Sequence, residues 1–351
     1  MNSDAQLRKP KLRPFFHIIP MEGERVQVRS AKKIMMVRGR LAATLVPEIL
    51  PYLDGNHSTD EIVSKMANLP ENEVLSVLAL LHQRGLLEEG DVAPPSAFQP
   101  EELARLESQM LFFDELEGDR FASQQKLKES WVVVRASEEL QKPLVSALAG
   151  CGIGKVRVVG SLPCEDSDPA IEHWPREIHS VEEAREAVNG SNLAIVATNG
   201  PMPTLLGYFN TVALQTGIPL LPAQLDGTEA MIGPTIYPHA TACYTCYELR
   251  SRANEPFYEE YLAYEEYLER APSQRKVGVL APACGLVANM ITWEAIRMLT
   301  QFTLPGLTGG ILTINFLTLK TDLQRVLKLP RCPACSSLGP RQKIWQKGSG
   351  A

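Results

Sequence analysis

The stretch SWVVVRASEELQKPLVSALAGCGIGKVRVVG, Ser130 to Gly160, has the layout of a βαβ unit. Val132 to Val134 read as a buried strand and Leu140 to Ala149 as a helix. GCGIG makes the next turn, and Val156 to Val159 give the second strand. In a nucleotide-binding unit of this kind, phosphate sits at the turn after the first strand. Glycines there let backbone N–H groups come close to it. Here that turn reads RASEEL, without a glycine, and Ser137, Glu138 and Glu139 add bulk and negative charge. Two like charges about 4 Å apart repel by about 1 kcal/mol in bulk water and by several in a partly buried cleft. The frame is that of a nucleotide site; the loop is not.

Working outward, the region from residue 130 to about 340 reads as one α/β domain. NLAIVATNG is a buried strand, MPTLLGYFNTVALQTG a helix ending at Gly217, and IPLLPAQ another strand. EAMIGPTIYP reads as a hairpin. EPFYEEYLAYEEYLERA is a charged helix whose tyrosines recur every third residue and so drift around it. VGVLAPACGLVANMITWEAIRMLTQF is a long apolar helix, suited to a core or a dimer interface, and GGILTINF and LQRVLKLP read as antiparallel strands.

Two C-x-x-C pairs punctuate this domain, Cys243 with Cys246 and Cys332 with Cys335. Four thiolates suit a tetrahedral ion, and zinc with four sulfur ligands keeps no open position for chemistry. The expected metal is therefore structural Zn2+, stapling two distant parts of the chain. A redox C-x-x-C is the competing reading. Cys151, Cys164 and Cys284 stand alone and read as small core residues.

Residues 1–90 form a separate unit. RPFFHIIP, ERVQVRS and KIMMVR read as three short strands. Three helices follow. The first carries Pro47, the second opens with a capping box at Ser58 and Glu61, and the third runs from Pro70 to Gly85. This is a winged-helix-like pattern. The last helix is flanked by Glu71, Glu73, Glu88 and Glu89 against Arg84, so it would repel a DNA backbone. The strand side is different. Arg25, Arg29, Lys32, Lys33, Arg38 and Arg40 surround IMMV, a basic rim around an apolar edge that could accept an acidic peptide as an added strand. A solvated basic face over a core strand has the same composition. Residues 91–129 read as a proline-rich linker that turns helical after Pro100.

Composition sets the outer bounds. The chain has 351 residues, 44% hydrophobic and 22% charged, with a formal net charge of −6. That balance argues against a general nucleic-acid or membrane-surface role. No apolar run reaches the roughly 18 residues of a membrane span. The amino terminus lacks the apolar core of a signal peptide, so a cytoplasmic location is expected.

The order of these parts resembles the ThiF-type, ubiquitin-activating-enzyme-like adenylating fold. The resemblance rests on QQKLKESWVVV, IVATNG, TGIPLL, CYTC, GVLAPACG and CPAC and covers roughly Pro100 to Leu338. Active members carry a glycine-rich phosphate turn, an acid at the end of the second strand that binds ribose, and an acid that helps hold magnesium. Here the corresponding positions are RASEEL, Gly160 and Asn199, so the resemblance implies a degenerate nucleotide site at Arg135, Ser137, Glu138, Gly160 and Asn199, and ATP is not expected to bind.

A winged-helix-like start joined to such a domain resembles the partner proteins of YcaO-type cyclodehydratases in RiPP (thiazole/oxazole-modified microcin) biosynthesis. Both the C-protein and the ocin-ThiF-like types fit. In that family the amino-terminal unit is a RiPP recognition element, and the leader peptide adds beside its third strand and against its third helix. The resemblance thus implies a peptide groove at Lys33, Ile34, Met35, Met36, Val37, Leu75, Leu78 and His82. It also implies a precursor peptide and a YcaO-type enzyme as partners, and a homodimer. The implied function is a non-catalytic adaptor that presents the peptide for azoline or azole formation. An active adenylating enzyme working on a peptide or carrier-protein carboxylate is the alternative, with Arg135 available to a phosphate.

Overall fold

Alternation of apolar and polar residues builds the first sheet. In the computed structural model, β2 (His17–Met21), β3 (Arg25–Arg29) and β4 (Ile34–Arg38) form an antiparallel meander in that order. Val26 and Val28 point into the core and are fully buried, each worth roughly 1.5–3 kcal/mol of apolar burial. Ahead of them, the short β1 (Pro10–Leu12) pairs with the distant β5 (Leu87–Glu89), a ladder the sequence did not suggest. The structure describes residues 7–160, 168–270 and 277–336; Cys164 and the Arg40 side chain fall outside them.

Helices α1 (Arg40–Ile49), α2 (Thr59–Lys65) and α3 (Glu71–Gln83) cover the inner face. Pro47 lies in the last turn of α1, which tightens into a single 3-10 turn at Leu50–Tyr52. The capping box of α2 is complete. The Glu61 N–H donates to Ser58 Oγ at 3.2 Å, and the Ser58 N–H donates to Glu61 Oε2 at 2.8 Å, a contribution of about 1 kcal/mol. α4 (Pro100–Glu117) presents Asp114 to Arg13 and Arg120, so that buried carboxylate is paired. The chain divides into two units between Phe121 and Ala122, with α4 in the first and α5 (Ala122–Glu129) in the second.

The second unit is a mixed eight-stranded sheet. β6 (Trp131–Ala136), α6 (Glu138–Gly150) and β7 (Lys155–Val159) are the βαβ unit read from the sequence. Its GCGIG turn lies against α5: the Gly154 N–H donates to the Leu127 carbonyl, and a Cβ at 154 would come 1.8 Å from the Lys128 oxygen. β8 (Ile171–Trp174) and α7 (Val181–Val188) follow, then β9 (Leu193–Asn199), α8 (Pro203–Thr216) and β10 (Leu220–Asp226). β6 to β10 are parallel in the order β8-β7-β6-β9-β10.

β11 (Glu229–Ile232) turns straight back onto β10. The hairpin is therefore β10–β11 rather than one internal to EAMIGPTIYP, because Asp226-Gly227-Thr228-Glu229 makes the turn and β11 ends at a cis Gly233-Pro234 bond. After α9 (Tyr244–Ala253), α10 (Tyr258–Arg270) and α11 (Ala281–Thr300), β12 (Gly310–Asn315) and β13 (Lys320–Arg325) complete the antiparallel edge. The last strand starts earlier than LQRVLKLP suggested, since the tight turn at Leu317–Leu319 sets its register.

Helices α7, α8 and α9 cover one face, over Val133, Ala194 and Val196. α6, α11 and α5 pack on one another over the other face. No helix among the described residues is long and apolar enough to cross a membrane.

Candidate functional site

Strand order places the sheet's switch point between β6 and β9, where open α/β sheets accept ligands at the carboxyl ends of their strands. The residues found there engage one another. Ser137 caps α6 with extended backbone, and its Oγ accepts the Asn199 backbone N–H at 2.9 Å, bridging β6 to β9. The Ser137 N–H donates to the Ala197 carbonyl at 2.9 Å. The Asn199 amide donates to the Glu139 carboxylate. Glu138 and Glu139 occupy the first turn of α6, where the helix dipole favours a negative group and where phosphate would otherwise gain from it.

Arg135 closes the other side. Its guanidinium donates to Glu177 Oε2 at 3.0 Å and to the Ala136 carbonyl at 2.7 Å, while its Nε is buried without a partner. Gly160, at the end of β7, has φ +137, a backbone state that side chains rarely adopt. A Cβ at 160 would lie 3.5 Å from Glu177 Oε1 and 3.8 Å from Arg135 Nε. The five residues expected here thus gather around the switch point, with Glu138 exposed on its rim. Glu177, 42 residues from Arg135, carries no signal in the sequence.

The four knuckle cysteines converge. Cys243 is the N-cap of α9 and Cys246 lies in its first turn; Cys332 and Cys335 sit in the loop after β13. Sulfur separations are 3.8 Å for Cys243–Cys246, 3.7 Å for Cys243–Cys332 and 3.6 Å for Cys246–Cys335. All four sulfurs lie within 4.8 Å of one another, and all four residues are buried. A tetrahedral ion with metal–sulfur bonds of about 2.3 Å sets its sulfurs about 3.8 Å apart. Disulfides need about 2.05 Å and do not fit.

The cage holds little hydration for thiolates. Burial pushes the Cys243 thiol far above its ordinary range and Cys335 up to about 11. At Cys332 burial also acts upward, but N–H donation from Cys335 and Ala334, with the neighbouring thiols, brings it down. The Leu329 N–H donates to Cys246 Sγ at 3.4 Å, support of the kind that stabilises bound thiolate. The donor set, its dimensions and its burial all fit one metal ion.

In the first unit, β2 and β4 are the two edge strands of the three-stranded sheet. Ile34 and Met36 point outward, at 62% and 40% exposed, whereas Met35 and Val37 lie half-buried against the core. Lys33 Nζ donates to the Arg84 carbonyl at 3.1 Å, bringing the start of β4 to the end of α3. On α3, Leu75 and His82 are half-buried, and His82 Nδ1 is buried without a partner. Leu78, expected on the same outward face, is buried instead. It shares the inner stripe of α3 with Val74, Val77 and Leu81.

Residues 181–337 match the ThiF family. That match begins beyond the βαβ unit and spans both cysteine pairs. Protein HesA of Leptolyngbya boryana is 29% identical over 127 residues, which are 36% of this chain and 39% of HesA's own length. Among solved structures, E. coli MccB, crystallised with MccA-N7isoASN, aligns over 93% of this chain and 99% of MccB, with a TM-score of 0.65 and 16% identity. The heterocyclase TruD aligns over 94% of this chain and 43% of TruD, with a TM-score of 0.66 and 22% identity. The chain is thus similar to the ThiF family over residues 181–337 and has the fold shared by MccB and the aligned part of TruD.

Proposed function

We propose that the protein is a peptide-binding adaptor of azole-forming RiPP biosynthesis. It captures the leader of a ribosomal precursor peptide and presents it to a YcaO-type, ATP-dependent cyclodehydratase, without ATP chemistry of its own. In this reading the first unit is a winged-helix-like RiPP recognition element and the second a docking scaffold stapled by Zn2+ in the cysteine cage.

The observation that carries the reading is the edge of β4. Its outward Ile34 and Met36 are exposed apolar side chains between Lys33 and Arg38, beside the end of α3. Such an edge takes an extended peptide through backbone hydrogen bonds, with apolar pockets and charge selecting the sequence. Fold likeness to TruD, a heterocyclase, and to MccB, solved with MccA-N7isoASN, supports the same class of role. The groove as proposed comprises Lys33, Ile34, Met36, Leu75 and His82, with the β4 backbone at Met35 and Val37. A homodimer is part of the proposal, with Leu286 and Trp293 on α11 as exposed apolar residues available to it.

A second reading, an adenylating enzyme acting on a carboxylate, is favoured by the likeness to MccB, which has also been solved with ATP. Isothermal titration separates the two. The adaptor binds an acidic leader peptide saturably without nucleotide, and the leader-free core peptide weakly. Pyrophosphate exchange dependent on a peptide carboxylate would establish the enzyme instead.

A further inference from the structure

Strand register in the first unit leaves a second surface open, the outer face of its three-stranded sheet. Alternation turns Val26 and Val28 inward, so Arg25, Gln27 and Arg29 of β3 run along the middle of the outer face. Ile19 and Met21 of β2 lie on one side of that row, and Ile34 and Met36 of β4 lie on the other. All four apolar side chains are exposed. His17 and Arg38 fill two corners, and no acidic residue shares the face. Arg25 donates to the Glu22 carbonyl at 2.9 Å, and no carboxylate pairs with Arg25, Arg29 or Arg38 among the described residues. A cationic row between two exposed apolar rows, rich in Met and Arg, has the composition of an interface rather than of a solvated face.

α10 carries the matching pattern. Its covered side is Tyr261, Glu265 and Leu268, with Glu265 held by Arg252 at 2.8 Å. On the opposite side Glu259, Ala263 and Glu266, spaced by four and three, form an exposed ridge. Exposed Tyr258 and Leu262 flank the ridge on one side, and exposed Tyr264 and Tyr267 on the other. Glu259 has no ion-pair partner among the described residues, and Glu266 has only the exposed Arg270 one turn on, a pairing worth little and easily exchanged. Glu259 and Glu266 stand about 10.5 Å apart along a helix axis. Arg25 and Arg29 stand about 13 Å apart along a strand, a difference that side chains of this length span. With the ridge laid along β3, acid meets cation in the middle and the helix's apolar flanks fall on the two apolar rows.

We propose that α10 of one copy of the protein packs over the outer sheet face of the first unit of a second copy. Complementary charge and matching rows name the occupant, and every copy supplies both surfaces. The contact joins unlike surfaces and so differs from the α11 face offered for the homodimer. It covers Ile34 and Met36, which peptide capture at β4 also uses, so helix and peptide exclude one another. The contact forms without peptide, and its test needs none.

The test is photo-crosslinking of the full chain, with p-benzoylphenylalanine in place of Tyr258, in an equal mixture of natural-abundance and heavy-nitrogen protein. Mass spectrometry is expected to find the probe linked to residues 17–38. Those pairs should carry mixed isotopes as often as matched ones, as contacts between copies must. Arg25→Glu with Arg29→Glu should cut the mixed pairs at least about tenfold, because like charges then face one another. Mixing that double variant with a probe-bearing chain that carries Glu259→Lys and Glu266→Lys should restore them, which a misfolded variant could not do. Links that miss residues 17–38, pairs of a single isotope only, mixed pairs indifferent to the charge reversal, or a loss that the reciprocal swap fails to restore would overturn the proposal.

Discussion

The Ser137 hydroxyl and the Asn199 backbone are hydrogen-bonded at 2.9 Å across the switch point of the sheet, tying the end of β6 to the end of β9. The Asn199 amide nitrogen then reaches Glu139, while Asn199 Oδ1 and Arg135 Nε stay buried without a partner. A triphosphate would have to break these bonds and sit beside two carboxylates in the first turn of α6. Titration with magnesium and ATP is expected to give no saturable heat at up to millimolar nucleotide. Micromolar affinity would reverse the assignment of Arg135, Ser137, Glu138, Gly160 and Asn199 as a degenerate site.

The cysteine cage predicts one metal ion per chain, and elemental analysis of purified protein should find it to be zinc. Because burial raises Cys335 to about 11 from 9.0, and Cys243 further, metal binding must displace thiol protons. Affinity is therefore expected to fall about tenfold per pH unit for each proton released as the solution is acidified. The metal-free protein behaves in the opposite sense. A raised folded-state value means stability that is present below pH 9 and lost as pH rises toward 11. Chelation followed by melting at pH 7 and pH 10 checks both. A melting temperature that ignores chelator and the Cys332→Ser substitution alike would argue against a structural ion.

Glu294 is almost fully buried in α11 and accepts from Thr235 Oγ1 at 3.1 Å, from the Gly306 N–H at 3.0 Å and from the Leu307 N–H at 2.8 Å. It anchors the loop that leads into β12. Glu294→Leu strands those donors and is expected to destabilise the protein by about 2–4 kcal/mol. Glu294→Gln, which can still accept, should cost about half as much. Urea midpoints at constant m-value give the comparison.

Local chemistry explains what could be read before the structure was in hand. Runs such as WVVV and LAIV are apolar enough to declare buried strands, and Ser58 with Glu61 announces a helix start within four residues. C-x-x-C pairs show donor type and spacing, so Cys243 and Cys332 could be matched although they lie 89 positions apart. What stayed hidden is non-local or ambiguous in period. β13 is polar apart from Leu323 and exposed throughout, leaving no alternation to fix its start. The β1–β5 ladder is three residues long and exists only because the first unit brings its ends together. Arg135 at the end of β6 meets Glu177 in the loop after β8, a pairing no spacing rule supplies. Leu78 sits at the boundary of the α3 stripe, where the helical period admits either face and packing decides.

The exposed edge of β4 gives the most direct test of peptide capture. Ile34 and Met36 project away from the core, so replacing them should leave the fold intact, unlike replacing Val26 or Val28. Ile34→Asp combined with Met36→Asp removes apolar contact and adds charge that repels an acidic leader. Leader affinity is expected to fall at least about thirtyfold, the combined effect of lost burial and like-charge repulsion at the edge. Lys33→Gln tests the electrostatic part separately. Lys33 is one of several cations on this rim, so its loss should weaken binding only a few-fold at low salt and less at high salt. If both variants bind leader as the parent does, at both ionic strengths, the peptide lies elsewhere and the β4 assignment fails.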